Sequence, residues 1–327
     1  GEEALKVGGE TVQFRHEKTF FNNPGLAVLV STAMSDEEVD GRLKRFKELQ
    51  YERVGLMLKP DLVAVKCASG DAGKFEALVN KVKGMTGRNL VVMADDMAAL
   101  TAGVNAAKDA KPLIYAATKD NADDAAVLAK ESGCPLAVKA DGLDELAELT
   151  EKLVKAGLKD LVIDSGSRNI KGLIQDQVAI RRLALEKKFA ALGFPTITFP
   201  CEMTDDPKME ALYASLLINK YGGIVILNEL KGENLFPLLV NRLNIYTDPQ
   251  RPMATKEGIY EIGNPDENSP VLITTNFSLT YFIVSGEIEG SRVPSWLLIL
   301  DKEGLSVMTA WAAGKFVADA ISIFVKK

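Results

Sequence analysis

One histidine, His16, stands in a chain of 327 residues. A Ser-His-Asp triad or a multi-histidine metal site would have to be built around it. It lies in FRHEKTF, which alternates like a strand, and a surface or hairpin histidine explains it without chemistry. Cysteine is nearly as scarce. Cys67, Cys134 and Cys201 are the three in the chain, far apart and without a CxxC pair. That spacing disfavours a disulfide framework and a structural zinc site, and it points to a reducing compartment, the cytoplasm. Basic excess is also missing: 39 Lys+Arg stand against 45 Asp+Glu, a formal net charge of -6. Non-specific binding to nucleic acid needs the opposite sign. No apolar run approaches the ~18 residues of a membrane span. The opening GEEALKVGGE has neither the basic nor the apolar part of a signal peptide, so no secretory leader is expected in it.

What is present is ordinary globular usage, with 47% hydrophobic and 26% charged residues, which argues against general disorder. At ~150 residues per domain the length suggests two domains, and a barrel of ~250 residues counts as one. Short Val/Ile/Leu-rich runs recur, each followed by an amphipathic stretch. The runs are LAVLVS (26–31), DLVAVKC (61–67), NLVVMAD (89–95), PLIYAAT (112–118), PLAVKA (135–140), DLVIDSG (160–166), TITFP (196–200) and GGIVILN (222–228). That is the pattern of buried parallel strands alternating with helices. Ser35 and Asp206 read as helix N-caps, the latter before Pro207 at the first helical position, and Gly157 reads as a C-cap. The count of eight selects a closed (βα)8 barrel of the TIM type over an open sheet, an α/β fold spanning 1–248. TVQFRHEKTFFNNP reads as an N-terminal hairpin covering one end. A Pro-rich linker follows over 249–269. A second α/β pattern occupies 270–327: strand 270–275, helix 276–291, strand 295–301 and a last helix. Two βα units cannot bury both faces of a parallel sheet, so this domain reads as truncated.

In such a barrel, chemistry sits where strands hand over to loops. Those positions hold Lys66, Cys67, Asp95, Asp96, Thr118, Lys119, Lys139, Asp141, Asp164, Ser165, Cys201, Glu202, Asn228 and Glu229. Such a rim could bind a polar heterocycle such as a pterin, and paired carboxylates could do acid–base work. The plainer alternative is that Asp95, Asp96 and Asp141 cap the helices beside them. Cys67 and Cys201 lie at strand ends with no histidine near in sequence to activate a thiolate, and inert burial suits them better. IDSGSRN (163–169) is a weak candidate for a phosphate-gripping turn. No GxGxxG and no P-loop follow any strand, which disfavours a nucleotide enzyme.

Two turns of the second pattern are more informative. TTNFSLTY and GLSVMTAWAAGKF place short hydroxyls, an amide and small residues at strand-to-helix turns. Neighbouring turns at the carboxyl ends of open-sheet strands are where such folds bind ligands. The plainer alternative is N-capping by Thr275 or Asn276, and by Ser306 or Thr309.

At these turns TTNFSLTYFIVSGEIE and WLLILDKEGLSVMTAWAAGKF resemble the large (gamma) subunit of the corrinoid/iron-sulfur protein of the acetyl-CoA pathway. They are similar also to the gamma subunit of the archaeal acetyl-CoA decarbonylase/synthase complex. The resemblance runs over essentially the whole chain, including PLIYAAT and ITFPCE. It implies a methyl-carrier subunit with a Rossmann-like or flavodoxin-like corrinoid domain after the barrel. The methyl group would come from a methyltetrahydrofolate:corrinoid methyltransferase onto Co(I) and pass to acetyl-CoA synthase. A small subunit would complete a heterodimer, and a reductive activator would serve it; no nucleic acid or membrane partner is expected. The family's N-terminal [4Fe-4S] domain, with its four cysteines, has no counterpart in this sequence, and the last part of the corrinoid domain is expected to be missing. DxHxxG, the source of a lower histidine ligand in many cobalamin proteins, is absent, so the corrinoid would be bound base-off without a protein ligand. By the resemblance, Thr275 and Tyr281 contact the corrinoid. Gly304, Leu305, Ser306, Val307 and Met308 line it with backbone groups, and Thr309 lies near the lower face of cobalt. The competing expectation is a pterin-dependent methyltransferase working at the barrel rim through Asp95, Asp164 and Asn228.

Overall fold

A computed structural model describes residues 4–87, 89–248, 251 and 253–301. Two units result, one of 1–51 with 58–246, the other of 52–57 with 247–327.

The first unit is a closed barrel. Its eight strands are β1 (Gly25–Ser31), β4 (Leu62–Lys66), β5 (Leu90–Met93), β6 (Leu113–Ala117), β7 (Leu136–Lys139), β8 (Leu161–Asp164), β9 (Thr196–Thr198) and β10 (Gly222–Leu227). All eight fall inside the runs expected from sequence or begin one residue before them. Every pairing is parallel, and β1 closes the ring by pairing with both β10 and β4. Buried alternation explains why these runs are continuous in hydrophobicity. Leu26, Val28 and Val30 join the cluster beneath the helices, whereas Ala27, Ala64, Val91, Met93, Ala137 and Ile226 fill the barrel interior. Both faces are dry, so both parities must be apolar.

The helices between are α1 (Asp36–Glu48), α2 (Ala72–Thr86), α3 (Met97–Ala106), α4 (Ala122–Ser132), α5 (Leu143–Lys155), α6 (Ile170–Leu185), α7 (Pro207–Asn219) and α8 (Gly232–Tyr246). Ser35 opens α1 with a full capping box, its Oγ accepting from the Glu38 N–H while the Glu38 carboxylate accepts from the Ser35 N–H. Two orphan donors are thereby satisfied at once. Asp206 caps α7 ahead of Pro207, as expected. Below the strand starts, Arg242 is buried against Asp61 and donates to the Pro24 and Lys59 carbonyls.

The lead-in differs from expectation. The segment 11–24 contains turns and no strand. Its backbone is held by side chains instead of by a partner strand: Tyr221 donates to the Gln13 carbonyl at 2.8 Å, and Arg15 donates to the Asn244 and Ile245 carbonyls at the end of α8.

The second unit holds a three-stranded sheet in the order β11 (Gly258–Ile262), β13 (Ser295–Leu300), β12 (Val271–Thr275). Helix α9 (Ser278–Ser291) joins β12 to its parallel neighbour β13. Strand β11 is antiparallel to β13 and falls where a linker was expected. GIYEI was hidden because it is only half-buried, with Ile262 alone fully inside. A short ribbon, β2 (Tyr51–Arg53) and β3 (Leu56–Leu58), turns on Val54 and Gly55, both at positive φ, the pairing that tight hairpin turns require. Among the described residues no helix is long and apolar enough to cross a membrane.

Candidate functional site

At the barrel rim, inward parity carries Lys66, Tyr115 and Asp164 toward the mouth, and they do not wait there unpaired. Asp164 is 1% exposed. Its Oδ2 accepts from the Tyr115 hydroxyl at 2.6 Å and from Arg168 Nη2 at 2.7 Å, and its Oδ1 from Arg168 Nη1 at 3.1 Å and the Gly166 N–H at 2.9 Å. Arg168 also donates through Nε to Glu202 at 2.7 Å, and Lys66 reaches the other Glu202 oxygen at 3.1 Å. The guanidinium lies 4.6 Å from the centre of the Phe199 ring, which itself meets Tyr115 edge-on at 5.0 Å. Five polar side chains from four strand ends thus neutralise one another across the mouth.

The electrostatics follow from this geometry. Burial pushes the Tyr115 phenol far up, and the adjacent Asp164 charge adds to it. Burial works against the charge on Arg168, but its hydrogen bonds and ion pairs with Asp164 and Glu202 win, and its pKa rises. Burial likewise raises Glu202, yet the Arg168 and Lys66 cations hold its carboxyl below the usual range. Such paired groups are locked in one protonation state at neutral pH and are poor acid–base catalysts.

The remaining rim residues are occupied in other ways. Asp96 caps α3 through the Ala99 N–H, whereas α5 is capped by Gly142 with no side-chain bond, so Asp141 does not serve as expected. Asp95 is exposed. Asn228 accepts from Arg42, and its N–H donates to the buried Glu210 at 2.6 Å. Asp95, Asp164 and Asn228 share no hydrogen bond among the described residues, and Asp164 and Asn228 are each engaged by other side chains. In IDSGSRN the hydroxyls of Ser165 and Ser167 donate to Asp176, and Asn169 caps α6. Gly166 sits at φ +76, where a Cβ would lie 2.5 Å from the Ala140 carbonyl oxygen. The turn is closed on itself and offers no phosphate cradle. Cys67 and Cys134 are buried, and burial, with help from Glu202 and Glu210, pushes the Cys201 thiol far up. None is a poised nucleophile. Sequence reasoning passed over Tyr115 and Arg168. An inward tyrosine at a strand end and an arginine four residues after a strand-end aspartate were the available signals.

The carboxyl end of β12 is different. Thr275 is fully buried and Asn276 is 4% exposed. Neither side chain caps α9, whose N-cap is Phe277 without a side-chain bond. Among the described residues Thr275 Oγ1 has no hydrogen-bond partner, and neither has Asn276 Oδ1, although Asn276 Nδ2 donates to Asp301 Oδ1 at 2.7 Å. Among the described residues only two other buried side-chain polar atoms, Arg45 Nε and Thr150 Oγ1, lack a partner. Two of the four are therefore consecutive, at one strand-to-helix turn of a parallel βα unit. Leaving each unpaired costs about 1–3 kcal/mol, and unmatched buried groups at such a turn are what a polar ligand would satisfy. Tyr281, one turn into α9, packs against Tyr260 and Phe282 with centroids 5.0 Å apart in each pair, over the cluster of Ile262, Ile288, Leu297 and Ile299. No hydrogen bond joins it to Thr275. Gly304, Leu305, Ser306, Val307, Met308 and Thr309 lie outside the described residues.

Fold and geometry together define a barrel protein with two consecutive residues, Thr275 and Asn276, carrying polar atoms unmatched among the described residues at a strand end of the second unit. Residues 1–327 match the family described as CO dehydrogenase/acetyl-CoA synthase delta subunit. The chain is 44% identical over 327 residues to the corrinoid/iron-sulfur protein large subunit of Moorella thermoacetica, covering all of this chain and 73% of that protein. It is 36% identical over 333 residues to subunit gamma of the acetyl-CoA decarbonylase/synthase complex of Methanopyrus kandleri, covering 98% and 71%. With the gamma subunit of Methanothermobacter thermautotrophicus it shares 35% over 340 residues, covering 100% and 73%. Among solved structures, Yersinia pestis DHPS with a pterine-sulfa conjugate aligns at a TM-score of 0.49 with 14% identity, covering 68% of this chain and 92% of that one; at that score the likeness carries no weight. The chain belongs to the family of CO dehydrogenase/acetyl-CoA synthase subunits that contains these corrinoid/iron-sulfur and gamma chains. The family description says delta, but the full-length relatives are large or gamma subunits, and identity over the whole chain is the better guide to which subunit this is.

Proposed function

We propose that this chain is the large, gamma-type subunit of a corrinoid-dependent methyl carrier of the acetyl-CoA pathway. The methyl group is received from a methyltetrahydrofolate:corrinoid methyltransferase and handed to acetyl-CoA synthase. The observation that carries this reading is the match along the whole chain to corrinoid/iron-sulfur large and gamma subunits, and it is supported by the pair of buried atoms without a partner among the described residues, Thr275 Oγ1 and Asn276 Oδ1, at the carboxyl end of β12. The amide-rich rim of a corrinoid offers N–H donors and carbonyl acceptors that suit such atoms. A bound corrinoid supplies a reducible, nucleophilic cobalt, which is the reactive centre.

What the protein's own residues contribute is orientation. Thr275 would hold the ligand by one hydroxyl, as donor or acceptor, and Asn276 would accept from it while Asp301 fixes the amide. Tyr281, packed at a tilt against Tyr260, would contact the corrinoid beside them. Gly304 through Met308 would add backbone contacts, Thr309 would lie near the lower face of cobalt, and the corrinoid would be held base-off with no histidine ligand. In this reading 1–248 is a framework barrel, and the corrinoid-binding, Rossmann-like domain opens over 270–327, with β11 of the expected linker joining its sheet. A small subunit completes the heterodimer, a reductive activator restores the carrier, and the whole works in the cytoplasm. A [4Fe-4S] cluster would belong to a separate domain, since three dispersed cysteines cannot hold one.

The test is direct. The full-length protein, co-purified with its small subunit and reconstituted with corrinoid, is passed through gel filtration and its visible spectrum recorded. Corrinoid bands travelling with the protein are expected; their absence after reconstitution would overturn the proposal.

A further inference from the structure

At the end of the barrel opposite the rim, a cavity of about 190 Å³ opens under the starts of β9 and β10. Drug-sized ligand sites run to roughly 300–1,000 Å³, so this space suits a small molecule. Its wall depends on bare backbone. A Cβ at Gly8 would lie 2.9 Å from Pro195 Cβ, and one at Gly223 would lie 2.8 Å from the Thr196 carbonyl oxygen.

The chemistry is concentrated on Arg181. Its guanidinium lies 4.2 Å from the centre of the Tyr221 ring and 5.6 Å from that of Phe20. Phe20 packs in turn on Tyr246 at 5.5 Å. This aromatic box fixes the plane of the cation. Yet Arg181 makes one long hydrogen bond, from Nη1 to the Val12 carbonyl at 3.4 Å. Its Nε and Nη2 edge, two parallel donors, meets no protein acceptor among the described residues. The Tyr246 hydroxyl, on the same cavity, also has no protein hydrogen bond there. By contrast Tyr221 donates to Gln13, and Gln177 is paired with Thr196, so the remaining polar lining is satisfied. Burial lowers the pKa of Arg181 and raises that of Tyr246, and the charge of Glu10 acts upward on both.

We infer that this cavity binds a small monocarboxylate, gripped side-on by the Nε and Nη2 edge of Arg181 with the Tyr246 hydroxyl as a further donor. A planar carboxylate matches the two parallel donors of a guanidinium edge. Charge limits the ligand to a single negative charge. One arginine faces the space, and Glu10, whose two oxygens accept from the Phe21 N–H at 3.1 Å, stands beside it. A dianion would be left undercompensated, and a cation would meet the like charge of Arg181.

Titration of the full chain with acetate, inorganic phosphate and methylammonium, followed by calorimetry and by saturation transfer to the acetate methyl, tests this. Saturable acetate binding in the millimolar range is expected, with phosphate weaker and methylammonium absent. Arg181→Gln should weaken acetate roughly ten-fold or more, which is a large part of a millimolar affinity. Arg181→Lys, which keeps the charge and loses the fork, should weaken it less, and Tyr246→Phe less again. Glu10→Gln should tighten it, and Arg182→Gln, on the exposed neighbour, should leave it unchanged. Thermal unfolding checks that each variant is folded, and the Glu10→Gln gain cannot come from misfolding. No saturable acetate binding up to about 20 mM, equal binding by Arg181→Gln, or a preference for phosphate or methylammonium would each overturn the inference.

Discussion

The barrel rim and the end of β12 are both places where parallel strands hand polar side chains to a loop, and they treat those side chains in opposite ways. At the rim, Asp164 has four donors and Glu202 has two cations. At the end of β12, Thr275 and Asn276 are about as deeply buried as Asp164, and one oxygen on each has no partner among the described residues. A fold tolerates such a cost where something else later meets it. The position of chemistry in a barrel family is thus no guide to the position of chemistry in a chain that carries a barrel.

The largest effect should come from breaking the satisfied site. Arg168→Met leaves the Asp164 carboxylate buried without its cation, and removal of one partner of a buried pair costs about 3–5 kcal/mol. Urea unfolding should show that loss, and the double variant with Asp164→Leu should recover much of it, since a buried ion pair replaced whole by apolar groups is often neutral. A loss below about 1 kcal/mol would mean that the rim network is loosely held and open to ligands.

A second pair of variants sets the two regions against each other with the same chemical change. Thr198 is 1% exposed, and its hydroxyl donates to the Ile224 carbonyl at 3.0 Å. Thr198→Val should cost about 1 kcal/mol. Thr275→Val removes a hydroxyl with no partner, and the corrinoid-free protein should be unchanged or up to ~1 kcal/mol more stable. Equal losses at both positions would erase the difference described here.

The smallest effect concerns pH. The Glu202 carboxyl is held low by Arg168 and Lys66 against the opposing influence of burial. A depressed pKa contributes stability above the unfolded carboxylate value, and that stability is lost as pH falls through the folded one. Wild type should therefore lose stability more steeply than Glu202→Gln on the acid side, below the ordinary glutamate range, with the two curves parallel at neutral pH. Parallel curves throughout would show that Glu202 is not coupled to its cations.

Much of this fold was legible because its determinants are local. Eight apolar runs of strand length, with caps such as Ser35 and Asp206 between them, specify a barrel without knowledge of any contact. The lead-in 11–24 and β11 were misread for a shared reason. FRHEKTF alternates but finds no partner strand, whereas GIYEI finds one in β13, and pairing is a property of the folded chain. The site was legible in part. Thr275 and Asn276 were visible as polar residues at a turn, but only burial without capping separates them from ordinary N-caps. Asp164 looked like a rim catalyst because its partners, Tyr115 and Arg168, reach it from another strand and from the following loop.

The account is tested most directly by corrinoid retention in two variants of the full-length protein co-purified with its small subunit. After reconstitution and gel filtration, the visible corrinoid absorbance per protein is compared between Thr275→Val and Asp164→Asn. The expected result is a marked loss in Thr275→Val and wild-type retention in folded Asp164→Asn. Full retention in Thr275→Val, with loss in Asp164→Asn, would contradict the assignment of the cofactor to the β12 edge and return it to the barrel rim.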